Sequence, residues 1–373
     1  MQLRFVTLAL LVASTACSLL TPLSGLSGGD GPATAPGSDA GASDDRAVVG
    51  DGSRDDSGRP IALRPAYLFA TGGAARAVNP DDPAASAKIF VAEIHGDGTL
   101  GSWKPGPGLP EPRENHAAVG VGSDLFILSG QPSKSDFSGG STGFALHVLG
   151  DGGLTPFEGL PPLPVPTGSA RAVAASGHVH AFDYDVSRLS YLNFTSDGAG
   201  AWRAQSGVVD AGTLFGSGAA VGTDVFLFGP STRAIRWPVN NDGSLGPWTA
   251  VTAPPGTTDH LVITSTDRSL YMVGEWTTNS GRNDVFVAEI LPSHELGPWV
   301  PTEPFPIPRL GHEAVAYGGY IYVLGGEAVG TGTFSPVQDV YFAKIGSDGK
   351  LGLWKKTSAL PEYHAYAFAL VTP

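Results

Sequence analysis

One pattern recurs six times between Ile61 and the C-terminus, and a chain made of six similar units of this size has few ways to fold. The clearest copy runs PRLGHEAVAYGGYIYVLGGE from Pro308 to Glu327 and then DVYFAKIGSDGKLGLW from Asp339 to Trp354. Its second apolar segment, residues 321 to 326, has counterparts at 68 to 73, 125 to 130, 179 to 184, 225 to 230 and 270 to 275. The second position of that segment is aromatic in five copies (Phe69, Phe126, Phe226, Tyr271 and Tyr322) and is His180 in the remaining one. A third apolar segment follows in every copy. It leads into the turns DGTLGSW, DGGLTPF, DGAGAW, DGSLGPW, HELGPW and DGKLGLW. These close on Trp103, Phe157, Trp202, Trp248, Trp299 and Trp354, at spacings of 45 to 55 residues.

Asp-Gly between two apolar segments supplies the positive φ that a tight hairpin needs, hence Asp97-Gly98, Asp242-Gly243 and Asp348-Gly349. Each copy therefore predicts a four-stranded antiparallel unit. A sheet that is apolar on both faces must be sandwiched between neighbours, and a ring of such sheets covers every face without a long free edge. The closing aromatics are expected to fill the wedges between sheets. The first copy lacks its first strand, because Ala66 leads straight into the segment at 68 to 73. The segment PEYHAYAFALVTP, Pro361 to Pro373, repeats the start of a copy and then stops. The expected fold is all-β, a six-bladed β-propeller closed by its C-terminal strand joining the N-terminal blade. The 52 glycines and 31 prolines among 373 residues fit many short strands and turns, and 42% apolar residues suffice for a large core.

The six aligned copies resemble the kelch-repeat β-propeller family, to which the galactose oxidase central domain is similar. The residues that carry this are the double glycines Gly72-Gly73 and Gly325-Gly326, the aromatic strand positions and the closing tryptophans. The resemblance covers about residues 61 to 373. The double glycine has become Ser129-Gly130, Asp183-Tyr184, Gly229-Pro230 and Gly274-Glu275 in copies 2 to 5. Such propellers serve as scaffolds, ligand-binding modules and a few enzymes, so the fold implies no single activity. The copper cofactor of galactose oxidase needs a thioether between tyrosine and cysteine. The single cysteine of this chain, Cys17, lies outside the repeats, and no cofactor or metal is expected.

Ahead of the repeats stand two segments of different texture. Residues 1 to 17 carry Arg4, then an apolar run from Phe5 to Ala13 too short to cross a bilayer, then Ser14-Thr15-Ala16 before Cys17, as in a secretory signal peptide. These small residues resemble a bacterial lipobox, which implies acylation of Cys17, and they also suit ordinary cleavage and secretion. Residues 18 to 60 mix Gly, Ser, Ala, Asp and Pro, with seven Asp against three Arg, and read as a disordered tether. The expected location is extracytoplasmic, either membrane-anchored as a lipoprotein facing the periplasm or cell surface, or secreted. No transmembrane helix is expected in the mature chain. The net charge of −13 offers no cationic footprint for nucleic acid, and a monomer is expected.

The segment leading into the first strand and the loop between the second and third strands open on one face of a unit. That face collects His116, His260, His312 and His364 in copies 2, 5, 6 and 1, where copies 3 and 4 have Ala170 and Gly216. The same four copies have the longer loops, 74 to 87, 131 to 142, 276 to 283 and 327 to 338. With Arg113, Arg309, Glu275 and Glu327 nearby, this half of the rim is the candidate ligand-binding surface. A histidine recurring at one place in a repeat is more often a packing and hydrogen-bonding element between units, and Arg113 and Arg309 read equally as ties from unit to unit through backbone carbonyls. Asp81-Asp82 and Asp183-Tyr184-Asp185 read as turn acids rather than a Ca²⁺ site. The functional expectation is a non-catalytic module binding a protein or glycan through one face. A sugar-isomerising or lyase-type enzyme using the rim histidines and arginines, and a structural spacer in an envelope assembly, are the alternatives.

Overall fold

The computed structural model describes residues 65–74, 85–132, 140–164, 170–183, 189–195, 198–205, 216–229, 234–256, 260–277, 280–329, 334–364 and 368–372. The signal segment, Cys17 and the tether lie outside them. Among the described residues there is no helix, and every strand pairing is antiparallel. None of their elements is a helix long and apolar enough to cross a membrane.

Sheet 1 is built from β1 (Ala66–Thr71), β2 (Ile89–Ile94) and β3 (Lys104–Pro105). Sheet 2 takes β4 (Ala117–Val121), β5 (Asp124–Leu128), β6 (Gly143–His147) and β7 (Glu158–Gly159). Sheet 3 takes β8 (Ala170–Ala175), β9 (His178–Asp183), β10 (Leu189–Thr195) and β11 (Gly198–Gln205). Sheet 4 takes β12 (Ser217–Val221), β13 (Asp224–Phe228), β14 (Ala234–Pro238) and β15 (Thr249–Ala250). Sheet 5 takes β16 (His260–Ser265), β17 (Ser269–Thr277), β18 (Ser280–Glu289) and β19 (Val300–Pro301). In copy 6, β20 (Arg309–Leu310) precedes β21 (Glu313–Tyr317) and β22 (Tyr320–Leu324). There follow β23 (Glu327–Val329), β24 (Phe334–Pro336), β25 (Val340–Lys344) and β26 (Lys355–Lys356). Sheet 6 is β21-β22-β25-β26, while β20, β23 and β24 form a separate three-stranded sheet. Two of its strands, β23 and β24, lie in the stretch read from sequence as the long loop of copy 6, and β20 lies in the lead-in segment before His312.

The last strand, β27 (Phe368–Thr372), adds to β1, with Phe69 opposite Leu370 and Tyr67 opposite Thr372. The first and last described strands thus share one four-stranded sheet, ordered β27-β1-β2-β3. First strands neighbour one another in the sequence β27, β4, β8, β12, β16, β21 and back to β27.

Side-chain alternation explains why the second strands read as unbroken apolar runs. On β5, Leu125 and Ile127 pack in one cluster with Tyr67 and Phe69 of sheet 1, while Phe126 and Leu128 pack in another with Ala170 and Val179 of sheet 3. On β22, Ile321 and Val323 meet Tyr271 and Val273 of sheet 5, and Tyr322 and Leu324 meet Leu68 and Ala70 of sheet 1. A period of two with both faces covered demands a large apolar residue at every position. Six apolar clusters result, each shared by two sheets: 1 with 2, 2 with 3, 3 with 4, 4 with 5, 5 with 6, and 6 with 1.

The closing aromatics tie these interfaces. The indole N–H groups of Trp103, Trp202, Trp299 and Trp354 donate to the carbonyls of Ser358, Pro161, Thr252 and Glu303, at 2.9, 2.9, 2.9 and 3.1 Å. Every acceptor belongs to the preceding copy, counting copy 6 as preceding copy 1. Trp248 departs from the expectation, being 43% exposed; between sheets 3 and 4 the interior volume is taken instead by Trp237 of β14, at 0% exposure. The Asp-Gly hairpins also reach across. A side chain at Gly98 would come within 2.6 Å of the Tyr320 ring, and one at Gly152 within 2.5 Å of Tyr67, so glycine is required there by close approach as well as by positive φ. In copy 5 His294 takes this place at φ 64 and sends its imidazole Nδ1 to within 2.6 Å of the buried Asp224 carboxylate of sheet 4.

Candidate ligand-facing rim

Each rim histidine follows a lead-in segment that crosses from one copy to the next. Arg113 and His116 immediately precede β4. Gly73 N–H donates to the Arg113 carbonyl at 2.9 Å, so the lead-in of copy 2 is pinned to the end of the second strand of copy 1. Gly326 N–H donates to the His364 carbonyl at 2.7 Å in the same way. The glycines after the second strand exist for these crossings. A Cβ on Gly72, at φ +57, would lie 2.6 Å from His116 Cε1, and one on Gly325 would lie 2.1 Å from the His364 oxygen. Where copy 2 replaces the first glycine by serine, Ser129 keeps φ at 58, and its hydroxyl donates to the Gly140 carbonyl at 2.7 Å.

The rim histidines whose side chains are described are buried: His116 is 0% exposed, His312 2% and His364 2%. His116 Nε2 lies 2.9 Å from the Thr71 hydroxyl and His364 Nδ1 lies 2.8 Å from the Gly72 carbonyl, so these two flank the end of β1. His312 Nε2 donates to the Val273 carbonyl of sheet 5 at 2.8 Å. Burial pushes the His312 imidazole down to about 4, against the Val273 bond that favours its protonated form, and Arg309 pushes the same way as burial. His116 is held well below the ordinary range by burial, then by Arg113 and His364. His364 is lowered by burial, opposed by the Gly72 carbonyl and Glu362. Burial thus favours the neutral form of all three imidazoles.

The two arginines are also internal, at 3% and 1% exposure. Arg113 donates to the Ser129 carbonyl at 2.8 Å and to the Thr142 hydroxyl at 3.1 Å, with Glu111 at 3.1 Å. Arg309 donates to the Gly325 carbonyl at 2.8 Å and the Asp339 carbonyl at 3.1 Å, the equivalent partners in copy 6. Each guanidinium thus fastens the end of a second strand to the start of a third, closing the base of the loop between them. Arg309 stacks over Phe305 and Tyr341 at 5.1 and 5.3 Å, and burial lowers it to about 10 in spite of Asp339. Glu327 lies on β23, 3% exposed. The side chains of His260 and Glu275 fall outside the described residues; their backbones lie on β16 and β17, opposite Trp276 and Leu261 respectively.

Two contributors escape a reading of the sequence. Phe305 stacks on His312 with ring planes 5° apart and centroids at 6.3 Å, so it sits between His312 and Arg309. Its signal was an apolar residue seven places before the histidine position, as with Leu109 before His116 and Leu163 before Ala170. Arg171, 1% exposed, donates through Nε to the Gly216 carbonyl at 3.0 Å. It reaches from sheet 3 to the spot where copy 4 has glycine in place of histidine. Chemically, the described part of the rim offers imidazoles and guanidiniums engaged with the protein's own backbone and hydroxyl groups.

No family model matches the chain. Beta-scruin of Limulus polyphemus is 33% identical over 79 residues, which cover 21% of this chain and 8% of that protein. The match loosely suggests kelch-type repeats.

Proposed function

We propose that the six four-stranded sheets are the blades of one kelch-like β-propeller, exported and anchored through an acylated Cys17. It acts as a non-catalytic module that binds a protein or glycan. What supports the ring is the cyclic run of six apolar interfaces, in which sheet 6 meets sheet 1 as sheet 1 meets sheet 2. The ligand surface is the half-rim of copies 5, 6, 1 and 2, where the longer loops stand. His116, His260, His312, His364, Arg113, Arg309, Glu275 and Glu327 are the residues assigned to it, those that are described and buried holding the rim in shape. The single observation that favours binding over acid–base chemistry is the burial of His116, His312 and His364 against Thr71, Val273 and Gly72, since a catalytic acid or base must come within hydrogen-bond reach of its substrate.

The test is a glycan array and a pull-down with the full chain, repeated after residues 133 to 139 are replaced by a Gly-Ser segment of equal length. Loss of a captured ligand with an unchanged melting temperature is expected; capture that survives this and the matching replacements in copies 1, 5 and 6 contradicts the half-rim. Replacement of Cys17 by serine is expected to abolish incorporation of labelled fatty acid and release the chain from membranes.

A further inference from the structure

The outer end of sheet 6 departs from its counterparts in two ways that coincide. The first is charge. Four of the chain's seven lysines, Lys344, Lys350, Lys355 and Lys356, stand within one hairpin against a single acid, Asp348. The bridge between Ile345 and Leu351 aligns this hairpin with those of copies 1, 2, 4 and 5, which hold one lysine or arginine among them, Lys104. All four lysines are exposed. Lys356 is engaged, its ammonium 3.1 Å from the Asp339 carboxylate and 5.4 Å from the centre of the Tyr341 ring. Lys344, Lys350 and Lys355 make no ion pair among the described residues. Lys355 lies opposite Phe342, two residues from Lys344, so both side chains leave the same face of the hairpin. Lys350 stands at its turn, where its carbonyl accepts from the Gly346 N–H at 2.7 Å. The second departure is an apolar residue out of place. Leu353 is 73% exposed, more than any other large apolar side chain among the described residues, where copies 1, 2, 4 and 5 have Ser102, Pro156, Pro247 and Pro298. It lies between Lys350 and Lys355 in the chain, and Gly352 beside it donates to the Lys344 carbonyl at 2.8 Å.

Protection of the sheet edge explains only part of this. Lysines on a two-residue outer strand keep a sheet from pairing with other chains, which accounts for Lys355 and Lys356. Lys344 ends an inner strand and Lys350 lies in a turn, so neither guards an edge, and an exposed leucine works against solubility. We propose that this hairpin is a membrane-contact patch, in which Lys344, Lys350 and Lys355 meet the phosphates of an anionic lipid surface while Leu353 enters its headgroup layer. Among anionic partners a bilayer is the one that rewards both features. A soluble polyanion would take the lysines and leave the leucine in water. The chain's net charge of −13 disfavours a general approach to such a surface, which singles out the one cationic hairpin as the part that can face it. The patch complements the acylation proposed for Cys17, on which its setting rests, since an acyl chain joined to a polybasic patch anchors stably where a single chain binds marginally.

Vesicle flotation tests it, with the full chain carrying Cys17→Ser so that no acyl chain contributes. Vesicles of phosphatidylglycerol mixed with phosphatidylcholine are compared with phosphatidylcholine alone, which reads what the apolar run from Phe5 to Ala13 adds by itself. Excess binding to the anionic vesicles is expected, falling as salt rises. Lys344→Gln, Lys350→Gln and Lys355→Gln together are expected to lower that excess roughly hundredfold. Leu353→Ser is expected to lower it about fivefold. Melting temperatures should hold in both variants, because all four side chains are exposed. Arg268→Gln, which removes an exposed cation from the hairpin between β16 and β17, is expected to leave the excess unchanged. No preference for the anionic vesicles overturns the proposal, as does a preference that survives the triple replacement. A preference lost with the lysines but untouched by Leu353→Ser makes the patch a general polyanion site, which binding to polyphosphate would show, and overturns the lipid reading. Because this chain lacks Cys17, each of these outcomes is separate from the fatty-acid test of acylation.

Discussion

The junction between sheets 5 and 6 and the junction between sheets 3 and 4 solve one problem with different residues. At the first, His312 bonds the Val273 carbonyl, Trp354 bonds the Glu303 carbonyl, and the Tyr271 hydroxyl donates to the Gly349 carbonyl at 2.7 Å. At the second, the histidine position is Gly216, Arg171 reaches over from the other sheet to its carbonyl, Trp248 is half in solvent and Trp237 fills the interior. The repeat therefore specifies that each interface be filled and its strand ends tied, and leaves open which sheet supplies the side chain.

The largest effect expected from breaking this comparison is at the arginines. Arg309→Ala empties a stacked, buried site and leaves the Gly325 and Asp339 carbonyls unmet, for a loss of about 3–5 kcal/mol in denaturant unfolding. Arg171→Ala is expected to cost a similar amount if it does for sheets 3 and 4 what the rim histidine does elsewhere; a loss below about 1 kcal/mol would make it a bystander.

The pH dependence ranks next. His312 has a folded-state value of about 4 against about 6.5 when unfolded, so folding favours its neutral form. Its contribution is intact above about pH 6.5 and is lost as pH falls from there toward about 4, on the order of 3 kcal/mol in all. His116 and His364 act in the same direction. Unfolding free energy measured from pH 7 to pH 4 is expected to fall, and less steeply in a His312→Asn chain. The junction of sheets 3 and 4 has its own depressed histidine, His180 on β9, pushed down to about 3 by burial and then by His178, so some acid sensitivity remains in that variant.

A smaller contrast lies in the glycines. Gly325→Ala combines a positive φ with a Cβ driven into the His364 oxygen, for more than about 2 kcal/mol, whereas Gly177→Ala in the hairpin of sheet 3, at φ +74 with open space around it, costs about 1 kcal/mol. The smallest lies in the closing aromatics. Trp354→Phe loses one hydrogen bond, about 1 kcal/mol, while Trp248→Phe is expected within about 0.5 kcal/mol of wild type. Both follow from thermal melts run side by side.

Much of this was legible because the repeat imposes strong local chemistry. Asp97-Gly98 and its relatives announce hairpins, and the alternation in LFILSG or IYVLGG announces strands covered on both faces. The lone C-terminal segment announces the partner of β1. Less was legible where the cause is a neighbour in space. Nothing in the linear alignment says that Arg171 occupies the place of a histidine one copy later, or that Phe305 is sandwiched by Arg309 and His312. Nor does it say that residues 309–310, 327–329 and 334–336 form a small sheet of their own. The one-residue deletion in DGAGAW was visible, but the eight-residue strand β11 that it accompanies was not. For the rim residues, sequence gave both a ligand-facing and a packing reading; residue type alone does not decide burial, and the distances to Thr71, Gly72 and Val273 do.

The account turns on the pairing of the last strand with the first. Native-state hydrogen exchange of the backbone amides from Phe368 to Thr372, followed alongside those of Leu125 to Leu128, measures it directly. Exchange of those amides of 368 to 372 that bond to β1 at the same slow, globally limited rate as β5 is predicted, because β27 pairs with β1 in the closing sheet. Fast exchange of those same amides while β5 stays protected would contradict it, leaving sheet 1 without its fourth strand.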